Sequence, residues 1–173
     1  MIHLYSGDGK GKTTASVGLA VRAAGADKKV IFAQFLKGSE SSELNILNIL
    51  PNITIFRLDK NYGFYNSMSE DTKEEVKRQH TEILKNIHSR IMDKSVDVII
   101  LDEITYVDAL NILNDKELLF DILYMSKYED IEVIMTGNQP TVELENISNY
   151  YTEMKKIQHP FDKGIQARKG IEF

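Results

Sequence analysis

Ser6-Gly-Asp-Gly-Lys-Gly-Lys-Thr-Thr14 follows the apolar run 2–5 and opens a helical segment, and that order decides the fold. Gly7, Gly9 and Gly11 permit backbone dihedrals closed to other residues, so successive N–H groups converge on phosphate oxygens. A helix starting just after them directs its positive end at the same charge. Lys12 adds a cation and Thr13 a hydroxyl suited to Mg²⁺, so the stretch reads as a phosphate-binding loop and predicts a nucleotide site. The usual pattern, G-x-x-x-x-G-K-[ST], has glycine where this chain has Ser6, so the assignment rests on strand, loop and helix occurring in the required order.

Outward from this loop, short apolar runs alternate with longer amphipathic segments. Strands are expected at 1–6, 29–35, 53–58, 96–101 and 131–136, and helices at 13–24, 41–50, 70–92, 105–113 and 116–125. Such alternation implies a mostly parallel sheet covered by helices on both faces, with ligands at the carboxyl ends of the strands. The clearest irregular stretches are 36–41, 59–69 and 159–173, and loops that long usually carry function. The segment 70–92 begins with a possible capping box from Ser67 to Glu70. Its apolar positions Val76, Ile83, Leu84, Ile87 and Ile91 keep near-helical spacing, so it is expected to pack on the sheet.

Composition bounds the function. The chain has 173 residues, 42% hydrophobic, with 26 acidic against 21 basic side chains and a net charge of −5. That length supports a sizeable core, and the acidic balance without a long basic run argues against nucleic acid as a partner. The lack of cysteine excludes a disulfide framework and a thiolate metal site. No apolar run approaches the ~18 residues of a membrane span, and the N-terminus enters a strand at once, so the expected location is cytoplasmic with no membrane contact. His80 and His88 share a side of the long helix without a metal-spaced carboxylate set around them, so they read as ordinary surface or flanking residues. His3 and His159 are read the same way. Met92 and Met125 fall in helical apolar patterns and read as core packing.

The second chemical element is Val96-Asp-Val-Ile-Ile-Leu-Asp-Glu103, an apolar strand ending in adjacent carboxylates, as in a Walker B strand. Asp102 and Glu103 would emerge at the sheet edge that carries the phosphate loop, one holding Mg²⁺ or its water and the other orienting a reacting group. Read alone, the pair is equally a charged end to a buried strand. Together with the loop it predicts an α/β fold, P-loop NTPase-like (RecA-like), with residues 1–173 as a single domain.

Five blocks make the resemblance specific: Ser6 to Thr14, Gln34-Phe-Leu-Lys-Gly38, Leu101-Asp-Glu-Ile-Thr-Tyr106, Met135-Thr-Gly137 and the tail from His159 to Phe173. In order and spacing they resemble the P-loop type of ATP:corrinoid adenosyltransferase, which also has a non-glycine residue at the Ser6 position. The resemblance implies that a corrinoid reduced to Co(I) attacks the 5′ carbon of ATP, forming a cobalt–carbon bond and releasing inorganic triphosphate. Cobalt is then the nucleophile, which accounts for the lack of a Ser-His-Asp set. The protein has to position the ribose carbon, neutralise the leaving triphosphate and exclude water. In the family ATP lies in the loop in the reverse sense to ordinary P-loop ATPases, exposing the 5′ carbon.

Carried over by position, Gly7, Asp8, Gly9, Lys10, Gly11, Lys12, Thr13 and Thr14 wrap the phosphates, with Lys12 the main charge partner. Thr13 and Glu103 ligate Mg²⁺ or Mn²⁺, Asp102 supports that metal shell, and Arg22 reaches ATP. Gln34, Phe35 and Lys37 border the corrinoid, although a packed Phe35 with an exposed Lys37 is the alternative. The resemblance further implies a homodimer and a flavoprotein reductant. Two departures stand out. Where the family commonly has Gly-Phe-Thr-Trp, this chain has Gly63-Phe64-Tyr65-Asn66, keeping the phenylalanine but losing the tryptophan. Those aromatics press on the lower corrin face in the family and hold cobalt four-coordinate and reducible, so Phe64 and Tyr65 are the expected corrinoid contacts. A family arginine after Thr-Gly is Asn138 here. Two other classes share the loop: a phosphotransferase such as a nucleoside kinase, which releases ADP, and a non-catalytic ATP or corrinoid sensor, which forms no cobalt–carbon bond.

Overall fold

Six strands, β1 (Ile2–Ser6), β2 (Val30–Gln34), β3 (Ile53–Arg57), β4 (Val98–Asp102), β5 (Glu132–Thr136) and β6 (Tyr150–Glu153), lie in the order β3-β2-β4-β5-β1-β6 in the computed structural model, which describes residues 1–173. Every pairing is parallel. Six helices make the connections: α1 (Lys12–Ala24), α2 (Ser42–Leu47), α3 (Glu70–Met92), α4 (Ile104–Ala109), α5 (Glu117–Tyr128) and α6 (Val142–Ile147). The expected sheet with helices on both faces is thus what forms.

The period-2 pleat divides each central strand between two cores. Ile31 and Ala33 of β2, Ile99 and Leu101 of β4, and Val133 and Met135 of β5 face α3, α5 and α6. Val30 and Phe32, Val98 and Ile100, and Ile134 face α1 and α2 on the other side. Because both faces are covered, these strands read as continuous apolar runs rather than alternating ones. The parallel register aligns their ends: Gln34 lies beside Asp102, and Tyr5 beside Thr136, so polar residues capping apolar strands form one row at the carboxyl edge.

Several local expectations are corrected. The N-cap of α3 is Ser69, whose Oγ accepts from Thr72 N–H at 3.3 Å, while Ser67 closes a short 3₁₀ turn over Tyr65–Ser67. With Glu70 the first helical residue, only the position directly before it can cap. His80 is not a surface residue but wholly buried, its ring 5.4 Å from that of Phe35. Its Nε2 accepts the Leu36 N–H at 3.1 Å, so the proton sits on Nδ1, which lacks a good acceptor. Burial holds its pKa down at about 4, only weakly opposed by the Ile112 backbone. Met92 is 62% exposed, because Ile91 takes the inward position at the end of α3. Met125 packs half-buried against the core as expected. His3 pairs with Glu132 at 2.9 Å and stacks on Tyr150, and His159 caps a short 3₁₀ turn, so both are structural.

β6 and α6 lie outside the elements that the sequence predicts. All four residues of β6 are exposed, so no buried run announces it. Its position is fixed instead by its backbone ladder with β1 and by the segment 154–156 just beyond it. Met154 N–H donates to the Ser6 carbonyl at 2.8 Å, the Met154 carbonyl accepts from Gly9 N–H at 2.6 Å, and Lys156 N–H donates to Asp8 Oδ1 at 2.8 Å. This segment is a strap across the phosphate loop, and it gives the glycines a second reason. A Cβ at Gly9 would sit 2.6 Å from the Met154 carbonyl oxygen; one at Gly7, where φ is 103°, would sit at 2.5 Å.

Gly9→Ala therefore forces the strap off the loop and should lower the stability of the nucleotide-free protein by about 1–3 kcal/mol, with faster proteolysis near Met154; wild-type stability and protection would show that the strap does not clamp the loop. For His80 the unfolded chain binds the extra proton, since its pKa there is near 6.5 against about 4 when folded. Stability therefore falls as pH drops from 6.5 towards 4, by about 3 kcal/mol over the full window. Urea midpoints should show a shallower acid slope for His80→Gln, whose amide oxygen still accepts from Leu36.

Candidate nucleotide site

Asp102 is the centre of the carboxyl edge. It is wholly buried at the end of β4, and three side chains from three elements donate to it. Thr136 Oγ1 at the end of β5 reaches Oδ1 at 2.7 Å, Thr13 Oγ1 in the first turn of α1 reaches the same oxygen at 2.9 Å, and Lys37 Nζ reaches Oδ2 at 2.7 Å. The Thr136 hydroxyl also accepts the Glu103 N–H at 3.0 Å. Glu103 itself sits in the left-handed region, φ 66°, which turns the chain from β4 into α4 and brings its carboxylate to the same corner. Burial first and then the Asp102 charge raise the Glu103 pKa, with Lys37 and Lys12 opposing. For Lys37 burial works against the ammonium, but Asp102, Glu103 and Glu43 outweigh it and raise its pKa.

Lys12 folds back over the loop, its Nζ 2.6 Å from the Gly7 carbonyl and 2.8 Å from that of Gly9. Gly11, with φ 119°, turns the chain into α1, so the free N–H groups of the first helical turn face the opening. Asp8 is exposed, and the Lys156 N–H holds its carboxyl below the usual range. Beside Thr13, Thr14 and Lys37 lies a pocket of about 440 Å³ whose far walls are residues 39–43 and 170–173. The tail is held by two contacts, one from the phosphate loop and one from the start of α2: Lys10 Nζ donates to the Ile171 carbonyl and Ser42 Oγ to that of Phe173, both at 2.9 Å. An Arg168–Glu172 pair, 3.0 Å, closes the end of the tail into a turn and holds the Glu172 carboxyl down at about 2.

Thus the loop of Gly7, Asp8, Gly9, Lys10, Gly11, Lys12, Thr13 and Thr14 lies beside Asp102 and Glu103, joined to them through the Thr13–Asp102 bond. Lys37 joins them, on the carboxylates rather than at an open corrinoid surface. Phe35 is corrected outright: it is wholly buried against His80 because the strand's inward register continues one residue past β2. Gln34 is buried too, its Nε2 donating to Glu43 at 3.2 Å, and offers no surface. Arg22 is exposed in the last turn of α1, ten residues and so about 15 Å along the axis from Lys12, with Tyr5 within reach of its charge. Phe64 and Tyr65 stand apart in the 59–69 loop; Phe64 is 87% exposed, whereas Tyr65 packs against the core. Thr136 lies outside the site residues that the sequence singles out, although it carries the same signal as Asp102, a polar residue ending an apolar strand. The walls at 39–43 and 170–173 had no such signal, since long-range folding assembles them.

Thr13, Asp102 and Glu103 offer one hydroxyl and two carboxylates, all hard oxygen donors, and nowhere do three or more His, Cys, Asp or Glu side chains converge as a protein-only cage. That donor set suits Mg²⁺ or Mn²⁺, which keeps waters and shares phosphate oxygens.

The fold and this corner both have relatives. A KaiC-like protein, PH0186 from Pyrococcus horikoshii OT3, superposes with a TM-score of 0.57 at 14% identity, covering 91% of this chain and 73% of its own; that likeness shows the fold alone. Corrinoid adenosyltransferases from Escherichia coli K12 and Salmonella typhimurium LT2 are each 29% identical over 174 residues, spanning this whole chain and 85% of theirs. The corrinoid adenosyltransferase of Pseudomonas aeruginosa is 28% identical over 98% of this chain and 82% of its own. The family profile runs the full length, residues 1–173, taking in the phosphate loop, the Asp102–Glu103 corner and the tail that walls their pocket, and the chain belongs to the ATP:corrinoid adenosyltransferase BtuR/CobO/CobP family of enzymes.

Proposed function

We propose that this protein transfers the 5′-deoxyadenosyl group of ATP to the Co(I) centre of a reduced corrinoid. The electron pair of Co(I) forms the cobalt–carbon bond, and the 5′ carbon–oxygen bond breaks with its pair departing on inorganic triphosphate. The observation that carries this reading is the pocket itself: the tail most distinctive of the family closes one side of the phosphate loop, while Thr13, Thr14 and Lys37 line the other, with Lys37 paired to the Asp102 carboxylate behind it. The reaction itself calls for no protein base, since its nucleophile arrives with the substrate.

Each residue then has a task. Lys12 leaves the Gly7 and Gly9 carbonyls for the triphosphate, where its charge acts on a leaving group that gains negative charge in the transition state. The N–H groups opening α1 bind the same phosphates. Thr13 and Glu103 hold Mg²⁺ or Mn²⁺ with Asp102 in support, and the cation when bound supplies further positive charge to the phosphate oxygens. Arg22 is proposed to reach ATP from the side of α1.

The corrinoid is placed against the 59–69 loop. Gln79 braces that loop by donating to Asp59 Oδ1 at 3.0 Å and Tyr62 Oη at 2.7 Å, and Tyr65 anchors it to the core, with Lys73 over its ring at 5.9 Å. Phe64 is thereby presented as an exposed ring on a supported loop, suited to pressing on a flat macrocycle. Displacing the lower ligand from Co(II) in this way brings the centre within reach of a flavoprotein reductant.

The deciding experiment supplies ATP, Mg²⁺ and chemically prepared Co(I) cobalamin, and follows the cobalt–carbon bond by visible absorption and the phosphate product by chromatography. Stoichiometric triphosphate is expected; ADP would point to a phosphotransferase, and binding without product to a sensor. Lys12→Ala should lose about 1.5–3 kcal/mol of transition-state stabilisation with its melting temperature nearly unchanged. Phe64→Ala should slow the reaction from Co(II) with a flavoprotein far more than that from prepared Co(I). Equal slowing of both assays, with no four-coordinate signal from wild-type protein bound to Co(II)alamin and ATP, would remove the lower-face role.

A further inference from the structure

Lys37 stands where a cation belongs. Its Nζ lies 2.7 Å from Asp102 Oδ2, 3.4 Å from Thr13 Oγ1 and 3.9 Å from Glu103 Oε1. These are the three side chains assigned to the divalent cation, so a dication drawing on the same oxygens competes with this ammonium for them. Loading the site therefore favours Lys37 moving away.

The surroundings suit a side chain that moves on a fixed backbone. Leu36, directly before it, adopts φ 58°, and its N–H is held by the buried His80, so the loop is pinned beneath Lys37. Above that point the lysine is a flexible four-carbon stem with a compact charge, about one-third exposed and lining the same pocket as Thr13 and Thr14. Once a dication neutralises Asp102 and Glu103, the displaced ammonium needs another anion. The candidate within the pocket is Glu43, in the first turn of α2, which already accepts from Gln34 and Ser41. A triphosphate in the loop brings several unpaired oxygens to the other side.

We propose that Lys37 is a two-position residue: in the nucleotide-free site its ammonium neutralises Asp102 and Glu103 in place of the divalent cation, and on loading it transfers to the triphosphate as a second lysine beside Lys12. This rests on reading the corner as a metal–triphosphate site, and it gives Lys37 a phosphate ligand rather than a corrinoid one. The resting pair keeps two acidic groups from repelling each other in a partly buried corner. The moved lysine then adds charge to the leaving group only when the substrate is present.

The test uses two probes besides turnover: Mn²⁺ alone, titrated by electron paramagnetic resonance into nucleotide-free protein, and tripolyphosphate with Mg²⁺, titrated by calorimetry. In Lys37→Gln the tethered competitor is gone, so Mn²⁺ should bind about tenfold more tightly, while Mg²⁺–tripolyphosphate should bind about tenfold more weakly. General destabilisation does not move the two affinities in opposite directions. Lys37→Arg, which keeps the charge and folds without an unpaired Asp102, should recover most of the tripolyphosphate affinity. An unchanged or weaker Mn²⁺ affinity in Lys37→Gln, or unchanged tripolyphosphate binding, overturns the proposal. Asp102→Asn separates the two levels: if it abolishes Mn²⁺ binding while Lys37→Gln has no effect, only the Lys37 role falls; if Asp102→Asn also leaves Mn²⁺ binding intact, the cation reading falls and takes the Lys37 role with it.

Discussion

The buried carboxylate of Asp102 organises the carboxyl edge of this molecule. An anion with no solvent exposure has to be paired, and here donors arrive from α1, from the end of β5 and from the loop after β2. Each donor ties its own element to β4, so the requirement to satisfy one charge fixes the relative positions of the phosphate loop, two strand ends and a lysine. The parallel sheet makes that convergence possible. Strands running in one direction end at one edge, and the helices that cover both faces leave that edge as the place where polar groups collect.

Much of this is legible in the sequence because it is local or periodic. The glycine loop, the apolar strands buried on both faces and the Asp102–Glu103 pair all declare themselves within a few residues, and the helix over 70–92 keeps the bounds that its periodicity sets. The features that are not legible depend on contacts made far along the chain. Phe35 looks the same in sequence whether it faces the core or a ligand, and His80 decides the matter from 45 residues away by filling the space beside it. Lys37 reads as a corrinoid contact, or failing that as an exposed residue, until β2 and β4 align and bring Asp102 beside its loop. β6 has no buried side chain, so hydropathy carries no trace of it.

The site also shows why one residue type can satisfy two demands. Gly9 serves a phosphate-binding loop in any reading of the motif, yet here the Met154 backbone lies where its Cβ would be. The glycine loop and the sheet edge are thus one mechanical unit, and substitutions at the loop act on both.

The bond from Gly9 to Met154 has a thermodynamic consequence. β6 contributes nothing fully buried, so its place in the sheet depends on hydrogen bonds to β1 and on the loop it straps. Fluctuations that peel this strand away also unwrap the loop. Conversely, a bound phosphate that orders the loop amides fastens the outermost strand and, through it, the chain from Met154 to the tail that walls the pocket. Occupancy and edge order are then reciprocal quantities: whatever the ligand adds to the strand's protection against opening, a well-docked strand returns as affinity for the ligand.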